Sequence, residues 1–358
     1  MVLGTHTCST EQNYLMIARV KLPSEDAEID ARNYDDEKGE LGSYGGMSSK
    51  IEVKVRINHD GEVNRARHMP QDDYVIATKT ISGQVHVFFV REHESTPGKD
   101  GICSPNIRCV GHDSEGYGLD WSGVERGHLL SGSDDSYVCH WDTNGSNIDK
   151  AGLQPLNKFK AHEGVVGDVQ FHCHHKDLFG SVGDDTFLNI WDLRQINQAK
   201  YKVKAHSKEV QAVSFSPFNE CLLATGSADR LVRLWDMRKI DSPIHTCVGH
   251  KGDVLKVAWS PHNESVLGSC GDDRRILIWD LSRIGQEQDP EEAEDGPPEL
   301  LFVHGGHTSK VSDFSWNAND PWVLASVAED NIVQIWQMAE NIFAEDDDES
   351  IPDEIAKE

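Results

Sequence analysis

Short runs of alternating apolar and polar residues recur along this chain, and turn-forming residues separate them. In one stretch a run at 210–215 (VQAVSF) is followed by Ser216-Pro217, a second run ends at Thr225-Gly226-Ser227, and a third extends from Leu231 to Trp235. Apolar residues at every second position place one face of a strand in the core, and Gly, Asp, Ser and Pro are typical of tight turns. The pattern predicts a meander of short antiparallel strands.

These runs belong to a repeat that begins at a histidine and ends at a tryptophan 29 residues later. Five copies have this spacing: His112 to Trp141, His162 to Trp191, His206 to Trp235, His250 to Trp279 and His307 to Trp336. A weaker copy extends from His59 to Phe88. The connections between the five copies vary, at 21, 15, 15 and 28 residues, as surface loops do. Three strands in each copy and a fourth in each connection predict an all-β propeller.

Four residue types recur inside each copy at fixed positions, and we call each set a tetrad. The five tetrads are His112/Ser131/Asp135/Trp141, His162/Ser181/Asp185/Trp191, His206/Thr225/Asp229/Trp235, His250/Ser269/Asp273/Trp279 and His307/Ser326/Asp330/Trp336. They resemble the tetrads of WD-repeat proteins, in which indole, hydroxyl, imidazole and carboxylate form a buried hydrogen-bond chain. A single His/Ser/Asp set would suggest nucleophilic catalysis, but five equally spaced copies indicate a structural role. We therefore expect no catalytic residues and a chain that is not an enzyme.

The repeat register also predicts where a partner would bind. Residues three and five positions after each histidine begin the innermost strand, near one mouth of the central channel. They are Glu62/Asn64, Glu115/Tyr117, Val165/Gly167, Glu209/Gln211, Asp253/Leu255 and Lys310/Ser312. Glu329, just before a tetrad aspartate, should join them. A ring of carboxylates with few bases predicts a site for Lys or Arg side chains of a basic peptide. The alternative is that these acids only face solvent.

Charge narrows the class of partner. The chain has 61 Asp+Glu against 34 Lys+Arg, a formal net charge of −27. Two segments concentrate the acids, 286–299 with seven and 345–358 with eight. This balance disfavours direct binding to nucleic acid or to anionic membranes and favours basic partners, although solubility alone would also explain it. Eight scattered cysteines without a Cys-x-x-Cys pair predict reduced thiols.

Other motifs carry little chemistry. The sequence has no phosphate-binding glycine loop and no nucleophile elbow, so no cofactor is expected. The run His172-Cys173-His174-His175 looks like metal chemistry, but it falls on a hairpin without a distant partner set, and no metal is expected. Arg194 and Arg238 end two Trp-Asp-x-Arg sequences, which resemble the box of propellers that dock on the adaptor of cullin-type ubiquitin ligases. An arginine at a strand end is the simpler interpretation.

Several segments together resemble one family. They are Gly4–Thr7, Asn58–Arg67, Glu115–Gly118, Ser260–Glu264 and the run from Asp289 to His307. The chain is similar, over essentially its whole length, to histone-binding WD-repeat proteins of the Msi type, also called retinoblastoma-binding proteins or chromatin assembly factor small subunits. The resemblance implies a seven-bladed propeller with a histone tail on the acidic mouth, bound by His6, Glu62, Asn64, Arg65, Glu115, Tyr117, Glu209, Gln211, Asp253, Leu255 and Glu329.

The family also binds a core-histone helix in a side groove between a Pro-Pro loop and an N-terminal helix. The resemblance places the groove of this chain at Glu294, Asp295, Pro297, Pro298, Leu301, Phe302, Ile342 and Phe343. Two departures concern the tail site, because Gly167 stands where the family has a carboxylate and Leu255 where it has an aromatic. A third is that nothing before Val2 corresponds to the family's N-terminal helix and ring-closing strand. We therefore expect an unclosed ring.

These observations predict one propeller domain at 1–343, with the acidic Pro-Pro loop inserted at 286–301, a short C-terminal helix and an acidic disordered tail at 344–358. The resemblance implies a nuclear, non-enzymatic histone-binding subunit that works with histone deacetylase, Polycomb-type and chromatin assembly complexes. The acidic charge balance predicts no direct contact with nucleic acid or membrane. Two alternatives stay open: a substrate receptor of a cullin-type ubiquitin ligase, and a general assembly scaffold.

Overall fold

The computed structural model is a ring of seven antiparallel sheets, which are the blades of a β-propeller. The first strands of successive blades contact one another around a central channel. The described residues are 1–7, 11–22, 51–145, 151–290 and 292–343. The predicted tail at 344–358 lies outside these residues. The seven-bladed propeller predicted from the repeats and the family resemblance is thus confirmed.

The blades follow the order of the chain. Blade 1 contains β1 (Val2–Gly4), β2 (Asn13–Val20) and β3 (Ile51–His59). Blade 2 contains β4 (Val63–Met69), β5 (Asp72–Thr80), β6 (Val85–Phe89) and β7 (Ile107–Cys109). Blade 3 contains β8 (Leu119–Trp121), β9 (His128–Gly132), β10 (Tyr137–Asp142) and β11 (Asn157–Lys160). Blade 4 contains β12 (Val166–Phe171), β13 (Leu178–Gly183), β14 (Phe187–Asp192) and β15 (Tyr201–Lys204).

The remaining blades repeat this order. Blade 5 contains β16 (Val210–Phe215), β17 (Leu222–Ser227), β18 (Leu231–Asp236) and β19 (His245–Val248). Blade 6 contains β20 (Val254–Trp259), β21 (Val266–Gly271), β22 (Ile276–Asp280) and β23 (Leu300–His304). Blade 7 contains β24 (Val311–Trp316), β25 (Val323–Ala328) and β26 (Val333–Gln337), and a helix α1 (Glu340–Phe343) follows it. Short 3₁₀ helices lie at Val90–Glu92, Met237–Lys239, Leu281–Arg283 and Glu292–Glu294. The predicted short C-terminal helix is confirmed.

Each 29-residue copy forms the first three strands of a blade, and the variable connection supplies the fourth, as predicted. The alternating apolar positions face the neighbouring blade, so the core lies between the sheets. One cluster, for example, combines Val75 and Val87 of blade 2 with Leu119, Trp121 and Trp141 of blade 3. Burying such side chains stabilises each blade against the next at about 25 cal/mol per Å² of apolar surface.

The tetrads form the predicted hydrogen-bond chain in blades 4 to 7. In blade 5, Trp235 Nε1 donates to Thr225 Oγ1 at 2.9 Å, His206 Nε2 lies 2.7 Å from the same hydroxyl, and His206 Nδ1 lies 3.0 Å from Asp229 Oδ1. The corresponding indole donations are Trp191 to Ser181 at 3.0 Å, Trp279 to Ser269 at 2.8 Å and Trp336 to Ser326 at 3.2 Å. Because the indole, hydroxyl, imidazole and carboxylate of each of these tetrads are bonded to one another, the hydrogen-bond chain fixes the three strands together.

In blade 3 the predicted tetrad is wrong at one hydrogen bond, the one that the indole donates. The indole of Trp141 donates to the backbone oxygen of Val110 at 3.4 Å instead of to Ser131. The ammonium of Lys79, from blade 2, lies 3.4 Å from Ser131 Oγ and takes the place of the indole as donor. The imidazole links of this tetrad are as predicted, with His112 Nε2 2.7 Å from Ser131 Oγ. A lysine from the neighbouring blade thus replaces a contact within the blade.

Blades 1 and 7 have three strands each in the described residues. The backbone N–H of Val63 donates to Thr5 at 3.1 Å, as Val166 donates to Ser133 at 3.2 Å, so β1 occupies the place that a second strand has in blade 3. Blade 1 therefore shows second, third and fourth strands, whereas blade 7 shows first, second and third.

Candidate functional site: the acidic mouth of the channel

A β-bulge at the start of the innermost strand shapes one mouth of the channel. In five blades the strand register shifts by one residue there, and the extra residues are Asn64, Gly167, Gln211, Leu255 and Ser312. A bulge takes one residue out of the ladder and redirects its side chain. The residue before each bulge is a buried valine, so the bulged residue stands at the edge of the core. In these five blades the position five residues after the histidine therefore lies at the entrance of the strand, whereas Tyr117 of blade 3 precedes β8.

Two positions of the repeat supply the carboxylates at this mouth: the residue three positions after the histidine and the residue just before the tetrad aspartate. The backbone N–H of the second position donates to the carbonyl oxygen of the first. These pairs are Asp134 to Glu115 at 2.9 Å, Asp184 to Val165 at 3.0 Å, Asp272 to Asp253 at 2.9 Å and Glu329 to Lys310 at 3.0 Å. We call Glu115, Asp134, Asp184, Glu209, Asp253, Asp272 and Glu329 the acidic mouth. Asp134, Asp184 and Asp272 were missed, although the rule that nominated Glu329 also selects them.

The acids of neighbouring blades are close enough to affect one another's protonation. Burial, and after it the charge of Glu115, raises the pKa of the Asp134 carboxyl. Burial, Glu209 and Asp134 in that order raise the pKa of Asp184. Burial and the same kind of carboxylate neighbours raise the pKa of the Tyr117 hydroxyl. Like charges that raise one another's pKa favour the arrival of a cation, because it removes their repulsion.

The predicted tail-binding residues do not all reach this surface. Tyr117 is 48% exposed, and Glu209, Glu329 and His6 are exposed as well. Asn64 joins two blades, since its Nδ2 donates to Glu115 Oε2 at 3.0 Å. Four other predicted residues are half-buried: Glu115, Gln211, Asp253 and Leu255. Glu62 and Arg65 are buried.

Arg65 lies one level deeper, in the wall of the channel. Its Nη1 donates to Asp168 Oδ1 at 2.7 Å, and only 9% of the residue is exposed. Lys256 Nζ lies 3.3 Å from the other oxygen of the same carboxylate. A second pair, Arg67 and Asp313, lies on the innermost strands of blades 2 and 7 with 2.9 Å between Nη2 and Oδ2. These ion pairs across the channel hold Arg65 in the interior and not on the binding surface.

The residues predicted for the side groove lie beside blade 6. Leu301, Phe302, Ile342 and Phe343 pack in one apolar cluster, in which the Phe343 ring stacks on Trp322 at a centroid distance of 4.5 Å. Pro297 and Pro298 are half-buried, and Glu294 and Asp295 are exposed at the outer edge. A cleft of about 220 Å³ opens at this place, lined by residues of 288–303. The structure thus brings the apolar groove residues together and puts the two acids beside them.

The two arginines of the Trp-Asp-x-Arg sequences are exposed but already engaged. Arg194 Nε and Nη2 donate to the two oxygens of Asp192 at 2.8 and 2.6 Å. Arg238 makes the same fork with Asp236. Each guanidinium already uses its bidentate N–H groups on the aspartate two positions earlier, so fewer N–H groups remain for a partner carboxylate.

The histidine cluster at 172–175 is accounted for by the fold. His172 Nε2 lies 2.8 Å from the carbonyl oxygen of Glu220, and its Nδ1 accepts from the backbone N–H groups of His174 and His175 at 3.0 and 3.1 Å. Nδ1 therefore closes the hairpin after β12, and Nε2 links this hairpin to the β16–β17 hairpin of blade 5. Within the described ranges, a different set of His, Cys and Glu side chains has the spacing of metal ligands, and it lies on the outside of blades 5 and 6.

A ring of seven meander sheets with carboxylates at one mouth defines a propeller that presents an acidic surface. The family model described as WD domain, G-beta repeat matches four segments of the chain, at 153–192, 197–236, 241–280 and 298–337. Each match begins at the fourth strand of one blade and ends after the third strand of the next. The matches and the seven blades support a WD-repeat protein. Such propellers are generally non-enzymatic scaffolds for protein interactions.

No helix among the described residues is long and apolar enough to cross a membrane.

Proposed function

We propose that this chain is a non-enzymatic histone-binding subunit that holds a basic histone tail on the acidic mouth. The observation that carries the proposal is the convergence of carboxylates from five blades onto one opening, where Asp134 and Asp184 already have raised pKa values. The resemblance of the Gly4–Thr7 and Glu115–Gly118 segments to histone-binding WD-repeat proteins supports the same partner.

The chemistry of the mouth suits lysine and arginine side chains. Hydrogen bonds to charged groups contribute roughly 1.5–3 kcal/mol each, so two or three such contacts are enough for a specific peptide. Tyr117, half exposed among the acids, can stack against a guanidinium or pack against an aliphatic stem. Gly167 and Leu255 offer neither charge nor ring, so blade 4 contributes through Asp184 and blade 6 through Asp253 and Asp272.

The side groove supports a second contact with the same class of partner. Its apolar floor of Leu301, Phe302 and Ile342 and its acidic edge at Glu294 and Asp295 suit an amphipathic helix with a basic side. Two sites would let one subunit hold a histone at a tail and at a core helix. The proposal places the protein in the nucleus, as a component of deacetylase, Polycomb-type or chromatin assembly complexes.

Calorimetric titration with an unmodified histone-tail peptide tests the proposal. We expect 1:1 binding to the wild type and an affinity on the order of 10- to 100-fold lower for the Glu115→Gln/Glu209→Gln variant, from the charged hydrogen bonds it removes. The matched control is Glu264→Gln, which removes an exposed acid on the β20–β21 hairpin at the opposite end of blade 6. Equal loss in both variants, or no binding by folded wild type, would contradict the proposed site.

A further inference from the structure

Three side chains of types that bind metals meet between the outer strands of blades 5 and 6. His245 and Cys247 lie on β19, the fourth strand of blade 5, and Glu299 immediately precedes β23, the fourth strand of blade 6. One donor atom from each, a ring nitrogen, a sulfur and a carboxylate oxygen, lies within 4.8 Å of the other two. His245 Nε2 and Glu299 Oε1 are 2.7 Å apart.

The burial of this cluster is unusual for such polar groups. Glu299 is only 4% exposed and Cys247 only 1%. A carboxylate withdrawn from water needs compensation by a cation or by several hydrogen bonds. Among the described residues, the side-chain contact shown for Glu299 is that of its Oε1 with His245 Nε2. A bound dication would compensate the buried carboxylate directly.

We propose that His245, Cys247 and Glu299 form a binding site for a transition-metal dication, with Zn²⁺ as the expected ion. One imidazole, one thiolate and one carboxylate are ligands that zinc uses, and the mixed set disfavours Mg²⁺ and Ca²⁺, which require oxygen ligands. Three protein ligands leave a fourth position for water. His245 is the partly exposed member, with 26% of its side chain accessible, so the ion can enter from that side.

Binding would require a small local change. Ligands at about 2.0–2.1 Å from a tetrahedral zinc are roughly 3.3 Å apart, so the 2.7 Å contact between His245 and Glu299 would open when both bind the ion. Since the two side chains lie on neighbouring outer strands, a change of this size needs only side-chain rotation. The metal would replace a hydrogen bond and not disrupt the fold.

The position of the site suggests what the ion would do. Glu299 directly follows Pro297 and Pro298, and its backbone oxygen accepts from Asp280 N at 2.8 Å. A metal held by Glu299 and by β19 would tie the end of the acidic loop to blade 5. The cleft lined by residues of 288–303 is built on the same segment. The site would be a structural clip at the base of this loop, whether or not the groove binds a histone.

Titration of the chelator-treated full chain with Co²⁺ tests the proposal, because cobalt reports thiolate ligation by its absorption. We expect one equivalent to give a sulfur-to-cobalt charge-transfer band and tetrahedral d–d bands, which Zn²⁺ then removes. Cys247→Ser should abolish the charge-transfer band, and Glu299→Gln should weaken affinity about 10-fold or more. The control Cys221→Ser removes another free cysteine of blade 5 and should leave the spectrum unchanged.

X-ray absorption of the zinc-loaded wild type answers the same question without any variant that must fold. We expect one sulfur neighbour at about 2.3 Å with nitrogen and oxygen neighbours near 2.0–2.1 Å. Absence of the thiolate band in folded wild type, a shell without sulfur, or loss of the band in Cys221→Ser would each overturn the site. These readouts do not involve histone peptides, so they are independent of the proposed function.

Discussion

Lys79 shows how a single residue can depart from the repeat and still fit it. It follows Thr78, at the position where blades 3 and 5 have Gly132 and Gly226, and it is completely buried. Its ammonium has two long contacts, 3.4 Å to Gly83 O and 3.4 Å to Ser131 Oγ. Burial lowers the pKa of Lys79 from 10.5 to about 8. The side chain therefore links blades 2 and 3 at a cost in desolvation.

This cost should depend on pH. The folded pKa is below the unfolded one, so the unfolded chain binds more protons between about pH 8 and about pH 10.5, and stability rises with pH in that window. Lys79→Met removes the ammonium group that titrates in this window. We expect the difference in unfolding free energy between this variant and wild type to change by about 3 kcal/mol between about pH 7 and about pH 10.5. Denaturant unfolding at both pH values measures it, and a constant difference would contradict the account.

At the scale of the element, the tetrad explains why the repeat keeps its spacing. The hydroxyl on the second strand binds both the indole of the third strand and the imidazole that precedes the first strand. Changing the number of residues between them would leave a buried donor without its partner. The exception in blade 3 offers a comparison within one protein.

Trp235→Phe should destabilise the protein more than Trp141→Phe. Both indoles are buried and lose a similar volume, but only Trp235 donates to its tetrad hydroxyl, whereas Trp141 has a 3.4 Å contact with Val110 O. The expected difference is about 1 kcal/mol of unfolding free energy. Parallel denaturation curves of the two variants give this value. Equal destabilisation would show that the tetrad indole bond adds nothing beyond packing.

The elements were largely predictable from sequence because their signals are local. A constant 29-residue spacing, period-two apolar runs and recurring turn residues predict three strands for each copy and a fourth in the connection, and the structure has them. The bulges were not predicted, since an extra residue such as Gln211 leaves the apolar pattern nearly unchanged. Arg65 was assigned to the mouth, but its partner Asp168 is 103 residues away, and only the closed fold brings the two together.

At the scale of the whole molecule, the ring converts scattered acids into one surface. Asp184 of blade 4 meets the charges of Glu209 from blade 5 and Asp134 from blade 3 because successive blades are neighbours in the ring, and Asp134 meets the charge of Glu115 within blade 3. The field is strongest where the carboxylates converge, which favours capture of a cationic chain. The formal net charge of −27 adds a general attraction for basic partners.

Binding of a basic tail should weaken on acidification. The raised pKa values of Asp134 and Asp184 mean that these carboxyls begin to take up protons at a higher pH than ordinary aspartates, and a protonated carboxyl no longer attracts lysine. We expect peptide affinity to fall as the pH is lowered, beginning above the range in which ordinary aspartates titrate, and to fall less in Asp134→Asn/Asp184→Asn. Fluorescence anisotropy over a pH series provides the measurement. An affinity that rises on acidification, or an equal slope in the variant, would contradict the role of these acids.

If the acidic mouth holds the partner, a photo-crosslinked histone-tail peptide should attach there, and mass spectrometry can map the attachment sites. We expect crosslinks on the segments that surround the opening, at 113–117, 207–211, 251–255 and 329. Excess unlabelled peptide should suppress them. Crosslinks confined to the acidic loop at 286–301, or to the strand ends at Arg194 and Arg238, would contradict the role of the acidic mouth and place partner binding on the outside of the ring.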